Sequence, residues 1–181
     1  MDRKSAGNPP EAEVLYRGSH LIFCRRGSWE YVERKRRAPG VLVVATTPEQ
    51  VLVLIDEFRA PVSARVLSLP AGLVGDKGEQ ESVETAARRE LLEETGYECS
   101  ELEFLGAGPS SPGLSSEWVS FLRARGVRKV GEPRPEEDTN VHLVPFDEAV
   151  AWTLARAAEG ALIHPMLWAG LLLAATSPVR R

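Results

Sequence analysis

Three glutamates fall close together in the stretch AARRELLEETGY, residues 86–97. On a helix, Glu90 and Glu94 lie on one face about one turn apart, and Glu93 is three positions from Glu90. Like charges at this spacing destabilise a helix. A solvated charged face would only tolerate the repulsion, whereas a hard divalent cation that prefers oxygen ligands would reverse it. The spacing therefore favours a metal site over a solvated face.

The helix that carries these glutamates is predicted from about Ser82 to Thr95. Ser82 is a suitable N-cap, and Gly96 follows the last periodic residue as a helix-ending glycine. An inward-facing stripe is predicted for this helix. It consists of Val83, Ala86, Ala87, Leu91 and Thr95.

The rest of the chain alternates strand-like runs with two closing helices. After a polar lead-in, three short β-like runs predict an antiparallel meander: EVLYRG, HLIFCRR and WEYVERK. The nearly continuous apolar runs VLVVATT and VLVLIDEF predict strands covered on both faces. Further strands are predicted at ELEFLGAG, SEWVSFLRA and NVHLVPF, and helices at 146–160 and 164–176. This order predicts a mixed α+β sandwich.

Composition limits the class of protein. The 181 residues suit one domain with an appended arm, and 43% hydrophobic with 27% charged residues is typical of a globular chain. The net charge of −4 argues against a general nucleic-acid binder. Cys24 and Cys99 have no zinc or disulfide spacing, which favours a reduced, cytoplasmic setting. The apolar stretch MLWAGLLLAA is shorter than the roughly 20 residues of a membrane span, so no membrane association is expected.

Spacing around the glutamates resembles the signature of the Nudix hydrolases. The matching positions are Gly75, Glu81 after five residues, and, after seven more, Arg89-Glu90-Leu91-x-Glu93-Glu94-x-Gly96-Tyr97. The resemblance implies an α/β/α sandwich with a mixed central sheet, here preceded by an N-terminal antiparallel strand arm. It also implies hydrolysis of a nucleoside diphosphate linked to another moiety, with magnesium or, alternatively, manganese.

The same resemblance assigns roles to the matched residues. Glu90 and Glu94 would be the main metal ligands, and Arg89 an ion-pair partner that orients the glutamates. Glu93 would take part in catalysis either as a supporting ligand or as a group that contacts the ligands. Glu81 is expected at the edge of this cluster.

A Pro-Ala-Gly turn precedes the motif at residues 70–72. If its glycine is the first glycine of the signature, the spacing to the helix is three residues too long. Either Gly75 takes that role or the loop is enlarged, and we favour the enlarged loop because the strand before the turn is intact. By resemblance, the Ala71 carbonyl would then be a further metal ligand.

Three further stretches resemble the ADP-ribose pyrophosphatase branch of the family. SSPGLSSE, residues 110–117, resembles its Ser-Pro-Gly-x-x-x-Glu element and predicts Pro112 and Glu117 as substrate contacts; the alternative is an ordinary Pro-Gly turn. EFRAPV places Arg59 as a phosphate or ion-pair residue, because arginine can hold phosphate oxygens in a bidentate manner.

The segment SWEYVERKRR resembles the part of this branch that reaches the nucleotide. Trp29 would stack on the base, Glu30 would accept from an exocyclic amine, and Arg34 would reach the diphosphate. Such contacts often cross a dimer interface in this branch, so we expect a homodimer and divide the chain into an arm at 1–37, for dimerisation and base binding, and a Nudix domain at 38–181. Alternatively, Trp29 is simply a packed strand residue.

A carboxylate base would help to take the proton from the attacking water. In the branch resembled, this base comes from a loop after the motif, where GEPRPEEDTNVHLVP offers Glu136 and Glu137. The position before the next strand favours Glu137. The alternative is an acidic solvated loop.

We therefore expect hydrolysis of ADP-ribose to AMP and ribose 5-phosphate. Ser68 stands where this branch commonly has a glutamate, so GDP-mannose, another nucleotide sugar or FAD remains an alternative substrate. A non-catalytic nucleotide-sensing module is the alternative from a different class, although such a module would be expected to lose the carboxylates that are present here. His20, His142 and His164 have no ligand spacing, which favours core or surface roles.

Overall fold

The computed structural model describes residues 10–36, 38–75, 80–134 and 138–177. The helices in these ranges are α1 (Val83–Thr95), α2 (Ala149–Ala158) and α3 (Pro165–Thr176), with a 3-10 turn at Ala60–Val62. The strands are β1 (Glu13–Arg17), β2 (Leu21–Arg26), β3 (Trp29–Arg34), β4 (Gly40–Thr46), β5 (Val51–Arg59), β6 (Ala64–Ser68), β7 (Ala71–Leu73), β8 (Tyr97–Glu98), β9 (Glu101–Pro109), β10 (Trp118–Arg125), β11 (Arg128–Lys129), β12 (Thr139–Pro145) and β13 (Leu162–Ile163).

A mixed sheet forms the centre of the molecule. Its strands follow the order β13-β6-β5-β4-β10-β9, with β12 also paired to β5 and β7 to β4. The β10–β4 and β13–β6 pairs are parallel, whereas the other pairs in this sheet are antiparallel. The predicted mixed α+β architecture is confirmed.

Helices cover both faces of this sheet. Successive side chains of a strand point to opposite faces, and β4 shows the result: Leu42 and Val44 pack in one cluster with α3 residues, whereas Val41 and Val43 pack in another with α1. Both clusters are apolar, which explains why the β4 and β5 sequences lack polar alternation. The sheet thus becomes the middle layer of an α/β/α sandwich.

Helix α1 has the predicted ends. The Ser82 hydroxyl accepts a hydrogen bond from the Thr85 N–H at 3.1 Å, and Gly96 adopts a left-handed conformation with φ of 73°. Its three motif glutamates are buried, with 6%, 3% and 4% exposure for Glu90, Glu93 and Glu94. A solvated charged face is therefore wrong for these three residues.

The strands β1, β2 and β3 form a separate antiparallel sheet. The loop from Ser110 to Glu117 joins this sheet to the central one: the Val32 N–H donates to Leu114 O at 2.9 Å, and the Ser116 N–H donates to Val32 O at 3.1 Å. The loop is thus bound to β3 through main-chain contacts.

Cys24 and Cys99 are both buried and unbridged. No helix in the described ranges is long and apolar enough to cross a membrane.

Candidate active site

Strand β7 holds two of the motif glutamates. The Ala71 N–H donates to Glu94 Oε2 at 2.9 Å. Gly72 lies so close to Glu90 that a Cβ built on it would be 1.9 Å from Glu90 Oε1. A side chain at this position would occupy the space of the carboxylate, so glycine is required for the close approach. Strand β7, which contains the Ala71-Gly72 part of the predicted turn, therefore packs directly against the carboxylates of α1.

Arg89 joins the other carboxylates. Its Nε and Nη2 donate to the two oxygens of Glu81 at 2.9 and 3.0 Å, and its Nη1 donates to Glu90 Oε1 at 2.7 Å and Glu93 Oε2 at 3.3 Å. Nη2 also donates to Leu73 O at 3.0 Å. One guanidinium fork thereby fixes three carboxylates against the strand.

Glu81 is fixed from a second direction by Gly75. The Gly75 N–H donates to Glu81 Oε2 at 2.8 Å, and Gly75 has a left-handed φ of 69°. Gly72 and Gly75 thus have different contacts, the first with Glu90 and the second with Glu81.

The residues that flank the 135–137 segment are attached to α1. Arg134 pairs with Glu93 Oε1 at 2.8 Å, and its N–H donates to Glu93 O at 2.8 Å. On the other side, the Thr139 hydroxyl donates to Glu94 O at 2.7 Å. Glu136 and Glu137 themselves lie outside the described residues.

The donor set suits a divalent cation. Four carboxylates, those of Glu81, Glu90, Glu93 and Glu94, gather around Arg89 and β7. Oxygen donors of this kind are those that magnesium prefers. Among the described residues, no group of three or more acidic, histidine or cysteine side chains is arranged to hold a metal ion. Arg89 lies among the carboxylates. The ligand roles of Glu90, Glu93, Glu94 and the Ala71 carbonyl stay predictions.

A cleft of about 700 Å³ lies beside β7 and is lined by Ala71, Gly72 and Leu73. Arg34, Arg59 and Glu117 also line it. Arg34 Nε pairs with Glu117 Oε1 at 2.5 Å, and the Ser110 hydroxyl donates to Glu117 Oε2 at 2.9 Å. The cleft therefore combines cationic groups with a carboxylate next to the motif strand.

A buried polar pair lies elsewhere in the same cleft. Ser68 is 2% exposed, and its Oγ is 3.3 Å from His164 Nδ1. Burial lowers the pKa of His164, and Arg59 lowers it further, while Glu117 acts in the opposite direction. The imidazole is thus favoured in its neutral form.

Residues 35–164 match the model of the NUDIX domain. The chain belongs to the Nudix family. The fold agrees: a crystal structure described as an ADP compounds hydrolase superposes with a TM-score of 0.68 over 95% of both chains, at 22% sequence identity.

Proteins that are similar in sequence to this chain have different names. A methanol dehydrogenase activator of Bacillus methanolicus is 38% identical over 64% of this chain. An ADP-ribose pyrophosphatase of Mycobacterium tuberculosis is 31% identical over 74% of this chain. The aligned regions span 63% of the length of each relative.

Some of the predicted substrate residues of this Nudix chain lie away from the cleft. Trp29 is 59% exposed, its indole N–H donates to Gly113 O at 3.2 Å, and it shares a shallow depression with Pro112. Glu30 is exposed and lies opposite Arg25 in the β2–β3 pair. By contrast, Arg34, Arg59 and Glu117 meet in the cleft. A role in substrate binding remains a prediction for all six residues.

Sequence reasoning missed two residues near this site. His164 has no metal-ligand spacing, and its neighbour Ser68 is far away in the sequence, so no local pattern could reveal the pair. Arg134 lies between two prolines, close to the acidic pair Glu136 and Glu137. A basic residue just before the acidic pair was the available signal.

Replacement of Arg89 by lysine is expected to lower the free energy of unfolding by about 1–2 kcal/mol, because lysine keeps the charge but loses the fork that joins three carboxylates. Denaturant titration with a chelator present would measure this. The control is Arg128→Lys, since Arg128 forms an exposed pair with Glu98 and should change stability by less than about 0.5 kcal/mol. Equal effects in the two variants would contradict the clamping role of Arg89.

His164 should make stability depend on pH. Because its pKa is below the ordinary value of 6.5 in the folded protein, the unfolded chain takes up the proton first as pH falls. Protonation then favours unfolding, and stability declines below about pH 6.5. In His164→Asn, we expect a smaller loss of stability between about pH 8 and about pH 5. Leu162→Ala, a non-titrating change nearby, should keep the wild-type pH dependence; parallel curves for His164→Asn and the wild type would refute the prediction.

Proposed function

We propose that this Nudix protein hydrolyses the diphosphate of ADP-ribose to AMP and ribose 5-phosphate, with magnesium or manganese. The observation that carries the proposal is that β7 both holds Glu90 and Glu94 and lines the cleft. A substrate diphosphate in the cleft would then lie beside the carboxylate cluster. The name of the Mycobacterium tuberculosis relative supports ADP-ribose as the substrate.

In this proposal, Glu90, Glu94 and Glu93 hold the cation together with the Ala71 carbonyl. When bound, a divalent ion neutralises charge on the phosphate oxygens and lowers the pKa of a bound water. Arg89 keeps the carboxylates in place through the contacts described above, so it acts by positioning them. Water attacks one phosphorus, and the bond to the bridging oxygen breaks.

The arginines of the cleft would bind the phosphate groups. Arg34 is now paired with Glu117 and Arg59 with Glu57, so the substrate must share or replace these partners. Phosphate oxygens suit this exchange, because a guanidinium group can bind them in a bidentate manner.

Trp29 and Glu30 would bind the base in a homodimer. Both side chains are exposed on the three-stranded sheet, where a second copy could bring them to its cleft. Pro112 contributes by shaping the loop under Trp29. Aromatic stacking is worth about 1–3 kcal/mol per base.

Glu137, or alternatively Glu136, is the proposed base that takes the proton from the attacking water. Support comes from the flanking residues: Arg134 contacts Glu93, and Thr139 contacts the Glu94 carbonyl. A loop with these two attachments is a suitable source of a base for a reaction at α1.

The proposal is tested by a screen of ADP-ribose, GDP-mannose, FAD, NADH and diadenosine polyphosphates, each with magnesium and with manganese. A phosphomonoesterase added afterwards would release phosphate from the products. We expect the highest kcat/KM for ADP-ribose. A higher kcat/KM for another compound would show that ADP-ribose is not the preferred substrate, as the presence of Ser68 in place of the usual glutamate would allow. Turnover of none would favour a non-catalytic nucleotide-sensing module.

A further inference from the structure

Main-chain contacts fix the Ser68–His164 pair at the junction of β6, β13 and α3. Strand β13 pairs with β6 in parallel, with Leu162 opposite Val66 and Ile163 opposite Leu67. The His164 N–H donates to Leu67 O at 2.9 Å. The main chain of His164 is therefore held to β6 at the end of the sheet, which fixes where the ring begins.

One ring nitrogen of His164 is available to a ligand. Nδ1 lies next to Ser68 Oγ, whereas Nε2 has no hydrogen-bond partner among the described residues and is not sealed from solvent. Because His164 lines the cleft, Nε2 can meet a molecule bound there. A neutral imidazole has one donor and one acceptor nitrogen, and the serine hydroxyl can adapt to either tautomer.

The surroundings indicate which ligand group fits. This part of the cleft is lined by apolar side chains as well as by the pair: Val62, Val66, Leu162 and Ile163. The polar atoms of Ser68 and His164 therefore lie in an apolar environment. The charged groups of the cleft, Arg34, Arg59 and Glu117, have ionic partners. A neutral donor and acceptor in such a wall match a hydroxyl group better than a phosphate, which would require a positive charge.

We propose that His164 binds a hydroxyl group of the sugar beyond the diphosphate, and that Ser68 positions the His164 ring for this contact. The pair thus selects substrates that carry a polyhydroxylated moiety at this end. This inference rests on the proposed diphosphate hydrolysis and identifies the part of the substrate that His164 contacts.

The test compares ADP-ribose with the β-methyl ester of ADP, which keeps the diphosphate diester but has no second sugar. In His164→Phe, kcat/KM for ADP-ribose should fall about tenfold, the loss of roughly one hydrogen bond, while kcat/KM for the methyl ester stays the same. Ser68→Ala, a nearly isosteric change, should lower the ADP-ribose value by a smaller factor. His164→Gln, which restores a donor and an acceptor, should recover part of the loss.

Folding is monitored by thermal unfolding of each variant. The His164 side chain makes no capping hydrogen bond to α3, so Phe and Gln at this position remove no helix cap. The control is Leu172→Phe, at an exposed position of α3 outside the cleft, which should change neither kcat/KM value.

The outcomes separate the two proposals. If the wild type hydrolyses neither compound nor any other diphosphate of the screen, the proposed function fails. If the wild type hydrolyses both compounds and His164→Phe affects them equally, or affects neither, only the role of His164 is overturned. Wild-type hydrolysis of the methyl ester alone would also overturn it.

Discussion

Glu94→Gln should lower turnover by about a hundredfold or more while the protein remains folded, because the side chain loses the charge that would stabilise a cation at the phosphate. The glutamine carbonyl can still accept the Ala71 hydrogen bond that Glu94 Oε2 accepts at 2.9 Å. A local change in charge with little change in shape is therefore expected. Steady-state kinetics at saturating magnesium and thermal unfolding would measure both quantities.

Glu84→Gln provides the control for this experiment. Glu84 lies in the first turn of the same helix and is exposed, so its replacement should change turnover little. Full activity of Glu94→Gln with magnesium would show that Glu94 is not a metal ligand.

Gly72→Ala should also lower turnover on the order of a hundredfold, although no charged group is removed. The new Cβ would be 1.9 Å from Glu90 Oε1 and 2.0 Å from its Cδ, so the carboxylate must move away from β7. Displacement of a catalytic group by about 1 Å can cost about a hundredfold in rate. The atoms nearest to the new Cβ belong to the Glu90 side chain and not to the backbone, so we expect the fold to accommodate the change and the kinetic effect to exceed the loss of stability.

Gly108→Ala is the matched control, since Gly108 lies in β9 and a Cβ there would meet nothing within 4 Å. Wild-type turnover in Gly72→Ala would mean that the observed position of Glu90 is not the one used in catalysis.

The sequence predicted elements whose stability comes from a repeated local pattern. Helix α1 was expected from Ser82 to Thr95 and is found at Val83–Thr95, with Ser82 and Gly96 as its caps. The apolar runs before it became β4 and β5, buried on both faces. Periodicity and capping are physical constraints within about one turn or one strand, so they can be read without knowledge of the rest of the fold.

Contacts between distant segments could not be predicted in this way. Strands β8, β11 and β13 have two residues each, which is too short for an alternating pattern. Ser68 and His164 are 96 positions apart, and they come together where β13 pairs in parallel with β6. For the same reason, the local motif identified Glu90 and Glu94 but not the burial of their carboxylates against β7.

The loop from Ser110 to Glu117 contacts both the three-stranded sheet and the cleft, so a structural change in one can change the free energy of binding at the other. It binds β3 through Val32 and reaches Arg34 through Glu117, so a shift of β3 would alter the ion pair in the cleft. Coupling free energy is reciprocal: if self-association through this sheet strengthens ligand binding by some factor, ligand binding must strengthen self-association by the same factor. The dissociation constant of the dimer would then vary with ligand concentration, and removing the Arg34–Glu117 contact would reduce that dependence.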